Sequence, residues 1–302
     1  MTEGAFSSFL EASVRAATPL AYAALGELVV ERAGVINLGL EGAIVAGAFG
    51  ALVASATLGA VAGFLGAIVA GVAIASLFAI LVVLARTDQI ITGTAISMLG
   101  LGVTGTLYRL TYGSSGAALH TPTTGPVTVA VLSRIPFLGR ALFAQPVSTY
   151  ALYILFPVIG WWMYRTGGGL ALRAVGEDVD AAAAAGSSPV RIRISAILFG
   201  GAMGGISGAT LVLAQVGTFA EGMSGGRGFI ALAIVVLGRW TPHGVAGAAL
   251  LFGSASALQY LSQAMGWNLP YQLSLALPYL LTLVALAVAS GRSSAPGGLG
   301  SR

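Results

Sequence analysis

RTGGGLALRAVGEDVDAAAAAGSSPVRIR, residues 165–193, is a polar island in a chain that is otherwise mostly apolar. The contrast between this island and its surroundings decides the fold class. Of the 302 residues, 57% are hydrophobic and 8% are charged, whereas a soluble domain carries about 25% charged residues. The sequence therefore predicts an all-α, polytopic integral membrane protein, with the island lying outside the lipid.

The centre of the island carries the signals of a short helix over 177–185. Three acidic residues within 177–180 would lie in its first turn, where the helix dipole favours negative charge. Alanines follow, and Gly186 and Pro189 supply the stop. A helix of roughly nine residues is marginal alone in water. We therefore expect it to dock on the surface of a partner.

Apolar runs of about 20 residues can cross a bilayer, and the sequence contains about nine candidates. They are 12–31, 35–54, 58–84, 92–112, 148–164, 192–215, 218–238, 244–262 and 271–290. Two of them look short or broken. GFIALAIVVLG (228–238) is only about 16 Å long as a helix, and GVINLGLEGAIVAG (34–47) begins with a glycine.

Short or glycine-interrupted segments at corresponding places in two halves of a chain point to a transport site. The two segments at 34–47 and 228–238 therefore allow an inverted repeat within one transmembrane domain covering 1–302. All 14 basic residues are arginines that fall singly at the ends of apolar runs, so a nucleic-acid partner is not expected.

The distribution of arginine predicts the orientation in the membrane. Nine arginines are placed inside: Arg32, Arg86, Arg165, Arg173, Arg191, Arg193, Arg239, Arg292 and Arg302. Three are placed outside: Arg134, Arg140 and Arg227. The N-terminus is then outside and the C-terminus cytoplasmic. Residues 113–147 form an extracytoplasmic loop, and 165–193 a cytoplasmic one.

Polar side chains inside the apolar runs are candidates for lining a solute pathway. They are Asn37, Glu41, Thr94, Ser97, Gln215 and Gln259. Groups that hydrogen-bond without a strong fixed charge suit a sugar or a nucleoside better than an ion, although each alone also fits an interhelical hydrogen bond. For Glu41 three roles stay open: orienting a gate, pairing with an arginine, or snorkelling to the interface.

Motifs of enzymes are matched only superficially. Gly100–Gly105 fits GxGxxG but lies inside an apolar run, so helix packing explains it better than dinucleotide binding. Gly222–Gly226 fits GxSxG and is interpreted as a loop. A P-loop requires a lysine, and the chain has none, so ATP would be bound by another chain. We expect no catalytic residue, no cofactor and no metal site.

Three stretches carry a resemblance to a known family. They are ERAGVINLGLEGAIVAGAFGA (31–51), LRAVGEDVDAAAAAGSSPVRIR (172–193) and GRGFIALAIVVLGRWTPHGVAGAALLFG (226–253). The chain resembles the membrane permease of ABC importers in the ribose, branched-chain amino acid and nucleoside class. Three segments are similar to its nucleoside and simple-sugar branch: ERAGVINLGLEG (31–42), GRGFIALAIVVLGRW (226–240) and PYQLSLALPYLLTL (270–283).

The resemblance implies a permease without enzymatic activity in a bacterial or archaeal cell membrane. It also implies three partners: a second related permease in a heterodimer, a cytoplasmic ABC ATPase and an extracytoplasmic solute-binding lipoprotein. In this family the polar stretch after the fifth span meets the ATPase. That role is carried onto Arg173, Gly176, Glu177, Asp178, Ala185 and Gly186.

Other solutes and mechanisms remain open at this point. A permease of the same class for simple sugars or branched-chain amino acids is one alternative. An ion-coupled secondary transporter is another.

Overall fold

The computed structural model describes residues 3–113, 123–130, 132–135, 138–264, 280, 284 and 295–300, which are mostly helical, as predicted. The α-helices in these ranges are α1 (Glu3–Arg32), α2 (Leu40–Leu58), α3 (Ala60–Ala79), α4 (Gln89–Tyr112), α5 (Gly139–Phe143), α6 (Val147–Arg165), α7 (Gly167–Glu177), α8 (Val179–Ala184), α9 (Pro189–Ala209), α10 (Arg227–Leu237) and α11 (Pro242–Ala264). α3 continues as a π-helix over Ile80–Leu84, and α9 does so over Thr210–Val216.

Six helices in the described part of the chain are long and apolar enough to cross a bilayer. They are Leu40–Leu58, Ala60–Leu84, Gln89–Tyr112, Val147–Arg165, Pro189–Val216 and Pro242–Gln263. α1 has 30 residues and is not among the six. The predicted span at 271–290 lies outside the described residues except for 280 and 284, so the count of nine stays a prediction.

The segment predicted to be short, 228–238, is indeed a short helix. α10 has 11 residues, about 16 Å of helix, which is about half of the hydrocarbon thickness of a bilayer. The predicted span at 218–238 is wrong over its first half. Residues 217–226 are mainly turns, and four glycines among them have positive φ.

The span predicted at 35–54 also starts too early, because α2 begins only at Leu40. Side chains from other helices bind the backbone that precedes it. The Ile36 N–H donates to Oε1 of Gln89, and the Asn37 N–H donates to Oε1 of Glu27, both at 2.9 Å. Gly34 starts this irregular stretch with φ +84°. We call residues 33–39 the α1–α2 loop.

Glycines on α9 allow its backbone to touch three other helices, as small residues commonly do in membrane bundles. A Cβ on Gly205 would overlap the carbonyl oxygen of Ala67 in α3, and one on Gly208 would overlap that of Ile44 in α2. Toward α1, a Cβ on Gly200 would lie 2.6 Å from the Cγ2 of Val30. α9 is therefore the central helix of the described bundle.

The predicted loop at 113–147 has local structure in its described residues. Strands β1 (Val127–Thr128) and β2 (Ala144–Gln145) pair antiparallel, and α5 lies between them. Thr124 ties this loop to the π-helix after α9, because its N–H and hydroxyl donate to the carbonyl oxygen of Leu213 at 2.7 and 3.1 Å.

Candidate functional site

The polar island contains two short helices that meet at Asp178. α7 ends at Glu177 and α8 begins at Val179. The single helix predicted over 177–185 is therefore wrong at its start, since Glu177 belongs to the preceding helix. The reason is that Asp178 has extended backbone angles, φ −151° and ψ +110°, which break the helix at that residue.

α8 ends at the predicted stop, whereas its start is an N-cap and not an acidic first turn with three residues. Oδ1 of Asp178 accepts hydrogen bonds from the backbone N–H groups of Asp180 and Ala181, each at 3.0 Å, as an N-cap does. Gly186 has φ +85° and donates its N–H to the carbonyl oxygen of Ala183 at 2.9 Å. A helix of six residues with both ends capped results.

α8 presents a small apolar surface outward. Ala182 is buried, whereas four alanines around it are exposed: Ala181, Ala183, Ala184 and Ala185. Alanine side chains let another backbone approach closely. This surface therefore fits the close contact expected of a docking helix.

α7 fixes this surface to the membrane bundle. A Cβ on Gly176 would overlap the carbonyl oxygen of Arg32, so the end of α7 is in backbone contact with the end of α1. The guanidinium of Arg173 stacks over the ring of Tyr164 in α6, 5.1 Å from its centroid. The island is thus attached to two of the long helices.

Glu41 is the most tightly bound polar side chain among the predicted pathway residues. Its Oε1 accepts hydrogen bonds from the hydroxyl of Ser224 at 2.5 Å and from the N–H of Gly226 at 2.8 Å. Its Oε2 accepts one from the N–H of Gly228 at 2.6 Å. The residue is only 4% exposed, so it does not snorkel. We call these four residues the Glu41 clasp.

The charge of Glu41 is balanced by helix ends. Glu41 lies in the first turn of α2 and against the N-terminus of α10. Each helix N-terminus is equivalent to roughly half a positive elementary charge, so two of them offset one carboxylate. Among the described residues the carboxylate is bound by backbone and hydroxyl donors, and its position ties α2 to α10.

The clasp lies beside the first half of α4, inside the bundle. A Cβ on Gly42 would lie 2.8 Å from the carbonyl oxygen of Ile96 and 3.1 Å from Cα of Ser97. A Cβ on Gly100 would lie 2.7 Å from Cα of Gly42. These residues lie in the first half of α4, so α2 and α10 both begin inside the bundle and not at its surface.

Asn37 and Ser97 lie next to the clasp, and Thr94 does not join them. Asn37 is 1% exposed, and its side-chain Oδ1 has no hydrogen-bond partner among the described residues. The hydroxyl of Ser97 donates to the carbonyl oxygen of Leu38 at 2.7 Å. Thr94 is half-buried and donates to Ile90 of its own helix.

Gln215 has a contact with a clear structural cause. Pro19 lies inside α1 and has no N–H, so the carbonyl oxygen of Arg15, four residues earlier, has no helical donor. The Nε2 of Gln215 donates to that oxygen at 2.8 Å. One function of Gln215 is thus to satisfy a backbone group inside the bundle.

Gln215 and Gln259 come together in a cavity of about 230 Å³ between α1, α10, α11 and the π-helix after α9. Arg227 and Tyr260 also line it. The predicted pathway residues therefore form two groups. One lies around the Glu41 clasp and the other around this cavity.

Ser224 and Glu27 were not among the predicted pathway residues. Ser224 is 1% exposed and binds Glu41, and Glu27 is fully buried and binds the backbone of Asn37. The signal for Ser224 was its place in a glycine-rich turn before a short helix, GMSGGRG. That for Glu27 was a carboxylate inside an apolar run.

The comparison with protein families gives a match over most of the chain. Residues 9–286 match the family described as "Branched-chain amino acid transport system / permease component". The chain belongs to this permease family. The match includes the α1–α2 loop, the island and the Glu41 clasp, so the geometry described above is that of a membrane permease.

Three curated relatives are permeases of ABC transporters. A candidate glucose permease of Haloferax volcanii is 36% identical over 86% of this chain and 79% of its own. A guanosine permease of Bacillus subtilis is 33% identical over 96% and 94%. A nucleoside permease of Lactococcus lactis subsp. cremoris is 32% identical over 92% and 91%. No solved structure matches the chain.

Proposed function

We propose that this permease is the membrane-spanning subunit of an ATP-driven importer and that a separate ATPase chain docks on residues 165–193. The observation that carries the proposal is α8, a helix of six residues with both ends capped and an outward alanine surface. Its neighbour α7 is in backbone contact with α1. A displacement of α8 by the ATPase is therefore transmitted through α7 to the membrane helices.

The arginine distribution supports a cytoplasmic position for the island, with the N-terminus outside and the C-terminus inside. α1 then ends on the cytoplasmic side, and the α1–α2 loop enters the membrane from there. The π-helix after α9 ends on the outer side, and residues 217–226 enter from outside. The two irregular stretches meet at the Glu41 clasp, which closes the pathway between them.

The same arrangement supports an inverted repeat. α1, its loop and α2 form a unit of one long helix, an irregular stretch and a helix that begins inside the bundle. α9, residues 217–226 and α10 form a second such unit that runs in the opposite direction. In transporters built this way the solute passes where the discontinuous helices meet. The pathway then runs beside Asn37, Glu41 and Ser97.

Nucleosides are the proposed solute class. The support comes from the guanosine and nucleoside permeases, which match more than nine-tenths of this chain. The glucose relative has a higher identity over a shorter match, so simple sugars are the second candidate. A second related permease and an extracytoplasmic solute-binding lipoprotein complete the proposed assembly in the bacterial or archaeal cell membrane.

The docking proposal is tested by changing α8 without touching the bundle. Asp178→Ala removes the cap, and an alanine inserted after Ala183 rotates the outward surface. We expect either change to reduce co-purification of the ATPase and its stimulation by solute. Thr57→Ala, at an exposed hydroxyl that bonds only its own helix turn, is the control. Unchanged co-purification and stimulation in both variants would refute docking at α8.

The solute is tested on the partner binding protein. Its melting temperature is measured with guanosine, adenosine, glucose and leucine in separate samples. We expect a nucleoside to raise it most, because ligand that binds the folded state stabilises that state. A rise with glucose or leucine alone would assign the importer to the other branches.

A further inference from the structure

Residues 295–300, APGGLG, lie across the junction between α7 and the α1–α2 loop. The Gly297 N–H donates to Oε2 of Glu177 at 2.9 Å, and the Gly298 N–H donates to the carbonyl oxygen of Gly176 at 2.8 Å. On the other side, the Gly300 N–H donates to the carbonyl oxygen of Gly34 at 3.1 Å. We call residues 295–300 the strap.

Apolar contacts hold the strap as well as these three hydrogen bonds. Ala295 and Leu299 pack against the main hydrophobic cluster of the bundle, and Pro296 is buried. The Leu299 N–H donates to the carbonyl oxygen of Pro296 at 3.1 Å, which closes a turn. The strap is therefore seated in the bundle at both of its ends.

The strap, α7 and the α1–α2 loop touch one another at three glycines. A Cβ on Gly34 would lie 3.4 Å from Cα of Gly176 and 3.2 Å from the carbonyl oxygen of Gly298. Arg193 of α9 also lies at this junction, because its Nη2 would be 3.2 Å from the same Cβ on Gly34. Backbones this close cannot move independently, because packed interiors transmit a displacement rather than absorb it.

The junction lies between the proposed docking helix and the Glu41 clasp. On one side, Glu177 is followed at once by Asp178, the cap of α8. On the other, Gly34 is three residues before Asn37, whose N–H is bound by Glu27. The loop then enters α2, whose first turn carries Glu41.

We infer that the strap is a positioning segment of transport, which joins α7–α8 to the α1–α2 loop so that displacement of α8 moves the start of α2. This inference rests on the proposed docking of an ATPase at α8. It adds a connection that docking alone does not require. Glu177 acts in it as the acceptor for the strap and not only as a surface charge.

The test compares two shortened chains in the complete transporter, reconstituted in proteoliposomes with its partners. One chain ends at residue 294 and lacks the strap; the control ends at residue 300 and keeps all three hydrogen bonds. We expect the first to retain ATPase co-purification but to lose solute uptake per ATP by about fivefold or more. The control should match the full chain. Equal uptake per ATP in both would overturn the inference.

A pair of point variants keeps the test decisive if the shortened chain assembles poorly. Glu177→Gln retains a carbonyl oxygen that can accept from the Gly297 N–H, whereas Glu177→Ala does not. We expect glutamine to restore most of the uptake per ATP that alanine loses. Equal loss in both variants would assign Glu177 to a charge contact and overturn its role with the strap. Since neither variant alters α8, failure of docking would appear instead in the α8 variants.

Discussion

Two glutamates attach the segment formed by residues 217–226 and the start of α10 to other helices. One of them is buried and the other is exposed to water. Glu41 is 4% exposed and binds three donors of this segment at 2.5–2.8 Å. Glu221 lies in the loop itself, and both of its carboxylate oxygens pair with Arg109 of α4 at 2.8 Å. The side chains of that pair are 63% and 40% exposed.

The difference in exposure indicates that the Arg109–Glu221 ion pair stabilises the structure less than the buried Glu41 clasp does. Water competes for the exposed pair, and such pairs contribute about 0–1 kcal/mol. A buried carboxylate whose two oxygens both accept hydrogen bonds stabilises more, since hydrogen bonds to charged groups contribute about 1.5–3 kcal/mol each. We therefore expect the Glu41 clasp to position α10, and the Arg109–Glu221 pair to restrain only the loop.

The largest effect is expected for Glu41→Ala. The change leaves the hydroxyl of Ser224 and the N–H groups of Gly226 and Gly228 without their acceptor in a buried place. We expect the free energy of unfolding to fall by about 4 kcal/mol and solute uptake to be lost. Unfolding of the purified protein by SDS and uptake by cells with the partner subunits measure the two effects.

Glu41→Gln separates charge from hydrogen bonding at this site. The amide keeps one acceptor oxygen but places an NH₂ group against a donor N–H, so an intermediate loss of stability is expected. Wild-type stability in the alanine variant would show that the clasp is not what holds α10.

The next largest effect is expected for Gly228→Ala. A Cβ there would lie 2.6 and 2.7 Å from N and Cα of Glu41, which are backbone atoms. Overpacking of this kind costs about 1–3 kcal/mol, and it would push α10 away from α2. Gly247→Ala in α11 is the matched control, because nothing lies within 4 Å of its Cβ. If both variants unfold at the same SDS concentration as the native chain, α2 and α10 are not in close contact.

Much of the fold could be predicted because it depends on local composition. Apolar runs, the polar island and the stop at Gly186 are all properties of neighbouring residues. The start of α2 could not be predicted in the same way. It is set by Glu27 and Gln89, which bind the backbone at Asn37 and Ile36 from other helices.

The candidate site could be predicted only as a set of residues. A carboxylate in an apolar run identified Glu41, yet its partners lie 183–187 positions further along the chain. No local pattern links residues so far apart. The need for the Gln215 contact could be predicted, since Pro19 must leave the carbonyl oxygen of Arg15 without a helical donor. The sequence does not tell which side chain supplies that donor.

A smaller effect is expected for Ser224→Ala. The hydroxyl is one of three donors to Glu41, and the two backbone donors remain after the change. We expect a loss of about 1.5 kcal/mol with uptake reduced rather than abolished. Ser254→Ala is the control, because its hydroxyl bonds only the carbonyl oxygen of Leu251 in its own helix. A loss as large as that of Glu41→Ala would mean that Ser224 has a second function, such as contact with solute.

The smallest effect is expected at the exposed pair. In a double-mutant cycle with Arg109→Ala and Glu221→Ala, we expect a coupling energy of about 0.2–1 kcal/mol that decreases as salt is raised, because the ions screen exposed charges. Two hydrogen bonds at 2.8 Å give the pair good geometry, so the upper half of that range is expected at low salt. A coupling energy above about 2 kcal/mol that does not respond to salt would reverse the comparison with Glu41. It would mean that water does not reach this pair in the assembled transporter and that a partner chain covers the end of α4 there.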